Sequence, residues 1–303
     1  RGAEGATPYP PALPPRAERL ARRCWPGPVT LVTQHGPRSL VERLPALVRQ
    51  RGAPEGEVGL RVPAHWLVLD VLQMLAGPIA LTSANRSGDP PATTAEDAAR
   101  QLGDHVALVL DDGPCHYGQA STVVRATSQG IECLREGVVS RDTLDRLASM
   151  LIVVVCTGNT CRSPMAEAMM RRLIAAKIGC DPEELESRGV VVASAGIAAS
   201  AGGPAAVEAI DVMRSAGLDI SGHQSQPLTE KLAQPADLLL TLTAAHRHAI
   251  LRRWPDAAAR THTLRPDGGD IADPIGGPVE VYQQCAAQIE QALRERVADM
   301  DFE

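Results

Sequence analysis

The sequence predicts two α/β domains in one chain, the second wound doubly around a parallel sheet. Three observations predict this. The length, 303 residues, suits two domains of ordinary size. The second half alternates short β-branched runs with helical patterns, the mark of parallel strands covered on both faces. A polar stretch with one short helical pattern, residues 140–150, separates the two patterned regions. No repeat of 20–50 residues is evident.

Composition narrows the class. Hydrophobic residues at 44% and charged residues at 22% are those of a globular chain. Aromatic residues are only 2%, so aliphatic and alanine side chains must fill the cores. A net charge of −6 without a dense Lys/Arg block gives no bias toward nucleic acid or a membrane surface. No apolar run approaches the ~18 residues that span a bilayer, and no signal peptide is visible. Seven cysteines without framework or metal-ligand spacing fit a reducing compartment, so a cytoplasmic location and no metal site are expected. Cys24, Cys115, Cys133, Cys180 and Cys285 read as packing residues. The sequence starts at Arg1 with neither an initiator Met nor a recognisable domain start, and is expected to lack part of its N-terminal domain.

The elements follow in order. Residues 1–16, rich in Pro and Ala, read as loop. Strands are predicted at Thr30–Gln34, Val58–Val62, Ile79–Thr82, Val106–Leu110 and Ser121–Val124. Helices are predicted at Trp66–Leu75 and Ala95–Leu102, the second with a capping box from Thr93 to Glu96. This bounds a first domain at 1–140, a linker at 141–150 and a second domain at 151–303. The second opens on Leu151–Val155, a continuous run suited to a strand buried on both faces. A helix over Met165–Ile178 puts Met165, Met169 and Leu173 on one face. Val190–Ala193 and Leu238–Leu242 read as buried strands. A last helix from Val279 carries an apolar stripe of Tyr282, Ile289, Leu293 and Val297.

The chemistry concentrates in Cys156-Thr157-Gly158-Asn159-Thr160-Cys161-Arg162-Ser163, between the buried strand and the next helix. A Cys, five residues, then Arg and Ser can close around a tetrahedral oxyanion. Successive backbone N–H groups then point inward, and the positive end of the helix dipole lies beneath. That field favours a thiolate at Cys156. The planar fork of Arg162 can hold two phosphoryl oxygens. Gly158 is expected to supply unusual backbone angles, and Ser163 to donate to the thiolate. Taken bare, Cys-x5-Arg is as readily a packing cysteine at a strand end. The flanking strand and helix, with Asn159 and Ser163, favour the nucleophile.

The run from Cys156 to Glu167, with Ser194-Ala195-Gly196, His223, Ala236-Asp237-Leu238 and Asp273-Pro274, resembles the low-molecular-weight protein tyrosine phosphatase family over residues 151 to about 298. The resemblance implies a doubly wound fold and a phosphocysteine on Cys156. It also implies Asp273 as the general acid that protonates the leaving group and then activates water. Ser194 and His223 would hydrogen-bond Asn159 and support the loop. Family members can join the equivalents of Cys156 and Cys161 in a reversible disulfide; a packing role alone for Cys161 is equally open. No cofactor is implied for this half, and its partner is a phosphorylated protein.

Two departures bear on substrate. Tyrosine-specific members sandwich the phenol between aromatic side chains, where this sequence has Ile275-Gly276-Gly277 and Ile197-Ala198-Ala199. Thr160 stands where they usually carry Ile. Both features resemble the protein-arginine-phosphatase branch, in which a polar loop side chain could meet a phosphoguanidinium. A tyrosine phosphatase, with a neutral Thr-for-Ile change, is the alternative.

In the first half, Trp25-Pro-Gly-Pro-Val-Thr-Leu31, Gly59-Leu-Arg-Val-Pro63 and Thr82-Ser-Ala-Asn-Arg-Ser-Gly88 read by themselves as turns and loops. With Gly118–Val124 and Leu134-Arg-Glu-Gly137 they resemble the YrdC-like family, which makes threonylcarbamoyl-adenylate for a tRNA modification. The resemblance implies a twisted mixed sheet. It implies ATP (with Mg), L-threonine and bicarbonate as substrates, and tRNA-modification proteins as partners. Arg61 would bind the threonine carboxylate, Ser121 the threonine or carbamoyl group, and Ser83, Asn85 and Arg135 the adenylate. Arg125, Glu136 and Pro91 depart from the family pattern. A non-catalytic nucleotide- or RNA-binding module is the alternative for this half.

Overall fold

A computed structural model of the chain describes residues 13–36, 39–75, 77–86, 88–127 and 130–302. Residues 1–12 of the expected loop, and Ser87 of the 82–88 segment, lie outside them. The chain divides into two compact units, Arg1–Ala148 and Ser149–Glu303.

The first unit comprises α1 (Pro15–Cys24), β1 (Val29–Gln34), α2 (Ala46–Gly52), β2 (Glu57–Leu60), α3 (Trp66–Met74), α4 (Ala95–Leu102), β3 (Thr122–Thr127), β4 (Gly130–Arg135) and α5 (Arg141–Ala148). Helix α1 starts within the stretch expected to be loop; proline fits its first turn, where no intrahelical acceptor exists for an N–H. The sheet is mixed, in the order β2-β1-β3-β4, with β1 parallel to β3 and the outer pairs antiparallel. Its core joins Leu20, Val29, Leu31, Val124, Leu144 and Ala148.

Three expectations need correction here. Residues 141–148 are not linker but helix α5, whose Leu144 and Ala148 are buried, and Arg19 and Arg23 of α1 donate to the Ala148 and Leu147 carbonyls. Its apolar stripe has a partner, so it packs. Ile79–Thr82 and Val106–Leu110 form no strands, and Leu81, Leu108 and Leu110 are 67%, 73% and 61% exposed. An apolar run becomes a strand only beside a neighbour that completes its ladder. The cap of α4 is Thr94, which has extended dihedrals and accepts from Asp97 N at 3.1 Å, one residue beyond the expected pair.

The second unit comprises β5 (Met150–Cys156), α6 (Arg162–Ile178), β6 (Val190–Gly196), α7 (Val207–Ser215), α8 (Glu230–Ala233), β7 (Leu238–Thr241), α9 (Ala244–Arg253), β8 (Thr261–Thr263) and α10 (Val279–Asp299). Its sheet is parallel throughout, in the order β6-β5-β7-β8. Ile152 and Val154 face a core with α6, α7 and α10, while Val153 and Val155 face a second core with α8 and α9. All four are fully buried, and each such side chain contributes about 1.5–3 kcal/mol. The chain leaves β5 toward β6 on one side and returns to β7 on the other. The strand order therefore reverses at the carboxyl end of β5, where doubly wound sheets place their sites. Cys156 ends that strand.

Candidate active site

Strand β5 delivers Cys156 to the reversal point, and α6 begins six residues later at Arg162. The Cys156 sulfur receives Asn159 N–H at 3.2 Å and lies 2.9 Å from Ser163 Oγ. Asn159 Nδ2 donates to Ser163 Oγ at 2.9 Å, so the serine's own proton is free to point at the sulfur. The same amide donates to Ser194 Oγ at 2.8 Å, and the Ser194 hydroxyl donates to Glu167 Oε2 at 2.6 Å. Gln226 N donates to Asn159 Oδ1, and His223 Nε2 to Asn159 O, both at 2.8 Å. Every polar atom of this fully buried asparagine is thereby bonded.

The residue with positive φ in the loop is Asn159, at 56°, and not Gly158. This corrects the expectation for the glycine. Asparagine tolerates the left-handed region, and its hydrogen bonds hold it there. Gly196, at the end of β6, is needed for another reason: a Cβ would lie 2.4 Å from Thr157 O. The close approach lets Ile197 and Ala198 donate to the Cys156 and Thr157 carbonyls at 2.9 and 3.0 Å.

Arg162 is 4% exposed and donates through Nη1 to Ile271 O at 3.1 Å. Its Nη2 pairs with the Asp273 carboxylate, whose side chain is 41% exposed. Two of the five guanidinium donors are used in this way, which leaves capacity for an oxyanion. Asp273 also accepts from Ile275 N at 3.3 Å. Thr160, half-buried, has its hydroxyl 3.6 Å from Cys161 Sγ, and Tyr282 OH lies 3.5 Å from the same sulfur. Burial and that contact raise the Tyr282 phenol. Burial pushes the Cys285 thiol up to about 12, which makes it a poor nucleophile.

Sequence reasoning missed three members of this site. Glu167 was visible only as the end of a motif. Gln226 bonds Asn159 through its backbone and donates through Nε2 to Ser194 O at 3.0 Å, contacts that no motif around it signals. His246 is buried, and its Nε2 lies 2.9 Å from Thr157 Oγ1.

In the first unit, Ser121 and Arg135 meet: Arg135 donates to Ser121 O at 2.8 Å and to its Oγ at 3.2 Å. Arg61 follows β2 and donates to Gly27 O at 2.9 Å. The strand registers put all three at the sheet end where β1 and β3 begin. Asn85 bonds within its own loop, to the Arg86 and Asp89 carbonyls. Among the described residues, neither Ser83 nor Asn85 is hydrogen-bonded to that group.

A family model described as low molecular weight phosphotyrosine protein phosphatase matches residues 151–303. A second, of the Sua5–YciO–YrdC type and described as telomere recombination, matches residues 3–137. A protein-arginine-phosphatase of Bacillus subtilis is 37% identical over 150 residues, covering 48% of this chain and 93% of the relative. A probable low molecular weight protein-tyrosine-phosphatase EpsP of Ralstonia nicotianae is 36% identical over 143 residues, covering 47% and 90%. A putative threonylcarbamoyl-AMP synthase of Mycobacterium tuberculosis is 40% identical over 140 residues, covering 46% of this chain and 59% of the relative.

Proposed function

The chain belongs, through residues 151–303, to the low molecular weight phosphotyrosine protein phosphatase family, and we propose that this half hydrolyses phosphoarginine on proteins through a phosphocysteine at Cys156. The observation that carries the reaction is the sulfur of Cys156 at the floor of the loop, within reach of Asn159 N–H and Ser163 Oγ. The thiolate attacks phosphorus, an S–P bond forms, and the bond to the leaving nitrogen breaks as Asp273 protonates it. Arg162 and the loop amides hold the phosphoryl oxygens. Water then attacks, gives its proton to Asp273 and releases phosphate, and Ser163 stabilises the departing thiolate.

Two features support the arginine substrate. The second unit has three aromatic residues, Trp254, Tyr282 and Phe302. Trp254 and Tyr282 are buried and Phe302 stacks under Lys177, so none is placed to sandwich a phenol. The positions beside the site are Ile197 and Ile275 instead, 38% and 69% exposed. A phenol thus forfeits ring contacts worth about 0.5–1.5 kcal/mol beyond burial. The half-buried Thr160 offers a hydroxyl in the loop. The relatives' names do not choose, since identities to an arginine and a tyrosine phosphatase are 37% and 36%.

The test is turnover of phosphoarginine and phosphotyrosine peptides by the unmodified chain and by Cys156→Ser. Phosphoarginine should be the better substrate, and the serine variant should be inactive while still binding phosphate. A preference for phosphotyrosine would overturn the substrate, and an active serine variant the covalent mechanism.

For the first half we infer binding of L-threonine and an adenylate at the sheet end that holds Arg61, Ser121 and Arg135. A carboxylate and a phosphate in one place call for guanidinium and hydroxyl partners. Pyrophosphate release from ATP with threonine and bicarbonate would make it a synthase; saturable binding without release would make it a binding module.

A further inference from the structure

Thr157, the first residue after the nucleophile, is held from two sides. Its carbonyl accepts from Ala198 N at 3.0 Å, beyond the end of β6. Its hydroxyl meets His246 Nε2 at 2.9 Å, at the start of α9. That helix start is itself anchored: Thr243 Oγ1 accepts from His246 N at 3.2 Å, and Asp270 Oδ1 from Ala244 N at 2.7 Å. His246 is 5% exposed, and among the described residues its buried Nδ1 has no hydrogen-bond partner.

The orphaned Nδ1 settles the tautomer. A buried N–H without an acceptor forfeits more than a buried lone pair without a donor. The proton therefore resides on Nε2 and is donated to Thr157 Oγ1. Burial first, and the Arg162 charge second, push the imidazole down to about 4, against the opposing pull of Asp273 and Asp270. The ring is thus neutral at pH 7. Thr157 is exposed, and with its oxygen occupied by His246 its own O–H must turn elsewhere.

We infer that His246 is a positioning residue of the phosphatase reaction: its Nε2–H fixes the Thr157 hydroxyl at the mouth of the loop and leaves the hydroxyl proton to donate to a phosphoryl oxygen. This rests on the phosphatase reading above and assigns that site a member on α9. Without His246, Thr157 can turn to water and the first peptide of the loop loses one of its two anchors.

The experiment is a double-mutant cycle on the full chain with His246→Ala, Thr157→Val and the pair. Readouts are kcat and KM for an aryl phosphate, the inhibition constant of inorganic phosphate, and the melting temperature. His246→Ala should lower kcat/KM about tenfold and weaken phosphate inhibition, as expected for one lost hydrogen bond at a site of charge. It should cost nothing further in the Thr157→Val background. His246→Gln, whose amide N–H can reach the same oxygen, should recover most of the activity, whereas His246→Asn should not. Additive losses in the pair, or an unchanged phosphate constant in His246→Ala, would overturn the inference, as would a variant that only melts lower. Should His246→Ala fail to fold, His246→Asn replaces it in the cycle. If the unmodified chain turns over neither an aryl phosphate nor phosphoarginine, the phosphatase reading falls, and phosphate binding by the same variants still decides the role of His246.

Discussion

In the proposed reaction, Asp273 has to act in two protonation states. As a carboxylate it pairs with Arg162 and accepts from Ile275 N; as the acid of the proposed reaction it must carry a proton. Asp273→Asn keeps the side-chain shape and one acceptor oxygen, for either Arg162 or Ile275 N but not both, and removes the negative charge together with the transferable proton. The variant should lose about 10²–10⁴-fold in kcat on phosphoarginine or phosphotyrosine, the span of general acid catalysis. An activated aryl phosphate, whose leaving group departs unprotonated, should lose far less. Equal losses on both substrate kinds would remove Asp273 from the role. His246 gives a pH prediction at the same scale. Its ordinary value, 6.5, falls to about 4 in the fold, so between those values the unfolded chain binds more protons. The stability contribution is full above 6.5 and is lost as pH falls toward 4. His246→Gln should flatten that acid slope, read from urea midpoints at pH 7 and pH 4.5. Parallel slopes in the two proteins would contradict a neutral buried imidazole.

At the scale of elements, the loop is only as well shaped as the strand ends that grip it. A methyl on Gly196 would sit 2.4 Å from Thr157 O and 2.8 Å from Ala199 Cβ. Gly196→Ala must therefore push β6 away from the loop, costing about 1–3 kcal/mol as overpacking does. It should also lower kcat/KM, because the Ile197 and Ala198 bonds move with it. An alanine variant with unchanged stability and turnover would show that the close approach is dispensable. The strand that carries the nucleophile was legible because Leu151–Val155 is a continuous apolar run. The start of α6 was read three residues late, at Met165, because Arg162 and Ser163 look polar and Pro164 looks like a break; proline is at home in a first turn. Strand β4 was not read, since Gly-Ile-Glu-Cys-Leu-Arg lacks clean alternation. Conversely, Ile79–Thr82 and Val106–Leu110 had the pattern and found no ladder partner. The candidate site was legible where its residues share a motif, from Cys156 to Ser163. It was opaque where a contact spans the fold, as with His246 and Thr157, 89 residues apart.

Across the whole molecule, the two units have separate cores. Leu20, Leu31, Val124 and Leu144 belong to a cluster made of first-unit residues. Ile152, Met165, Tyr282 and Leu293, and on the other face Val155, Leu239 and Ile250, belong to clusters made of second-unit residues. The groups assigned to phosphatase chemistry, Cys156, Arg162 and Asp273 with Asn159, Ser194, His223 and His246, also come from the second unit alone. Among the described residues, the first unit exposes more large apolar side chains, Trp66 at 62%, Met74 at 85% and Leu108 at 73% among them, than the second, where Val207 and Ile275 stand out at 68% and 69%. A chain of residues 149–303 should therefore unfold in one cooperative transition and keep kcat/KM within about twofold of the full chain, since separate cores make its stability its own. It should also stay monodisperse at concentrations where the full chain associates, as read by light scattering. Loss of cooperative unfolding, or a collapse in turnover on removing residues 1–148, would mean that the phosphatase fold depends on the first unit and that the separate cores mislead.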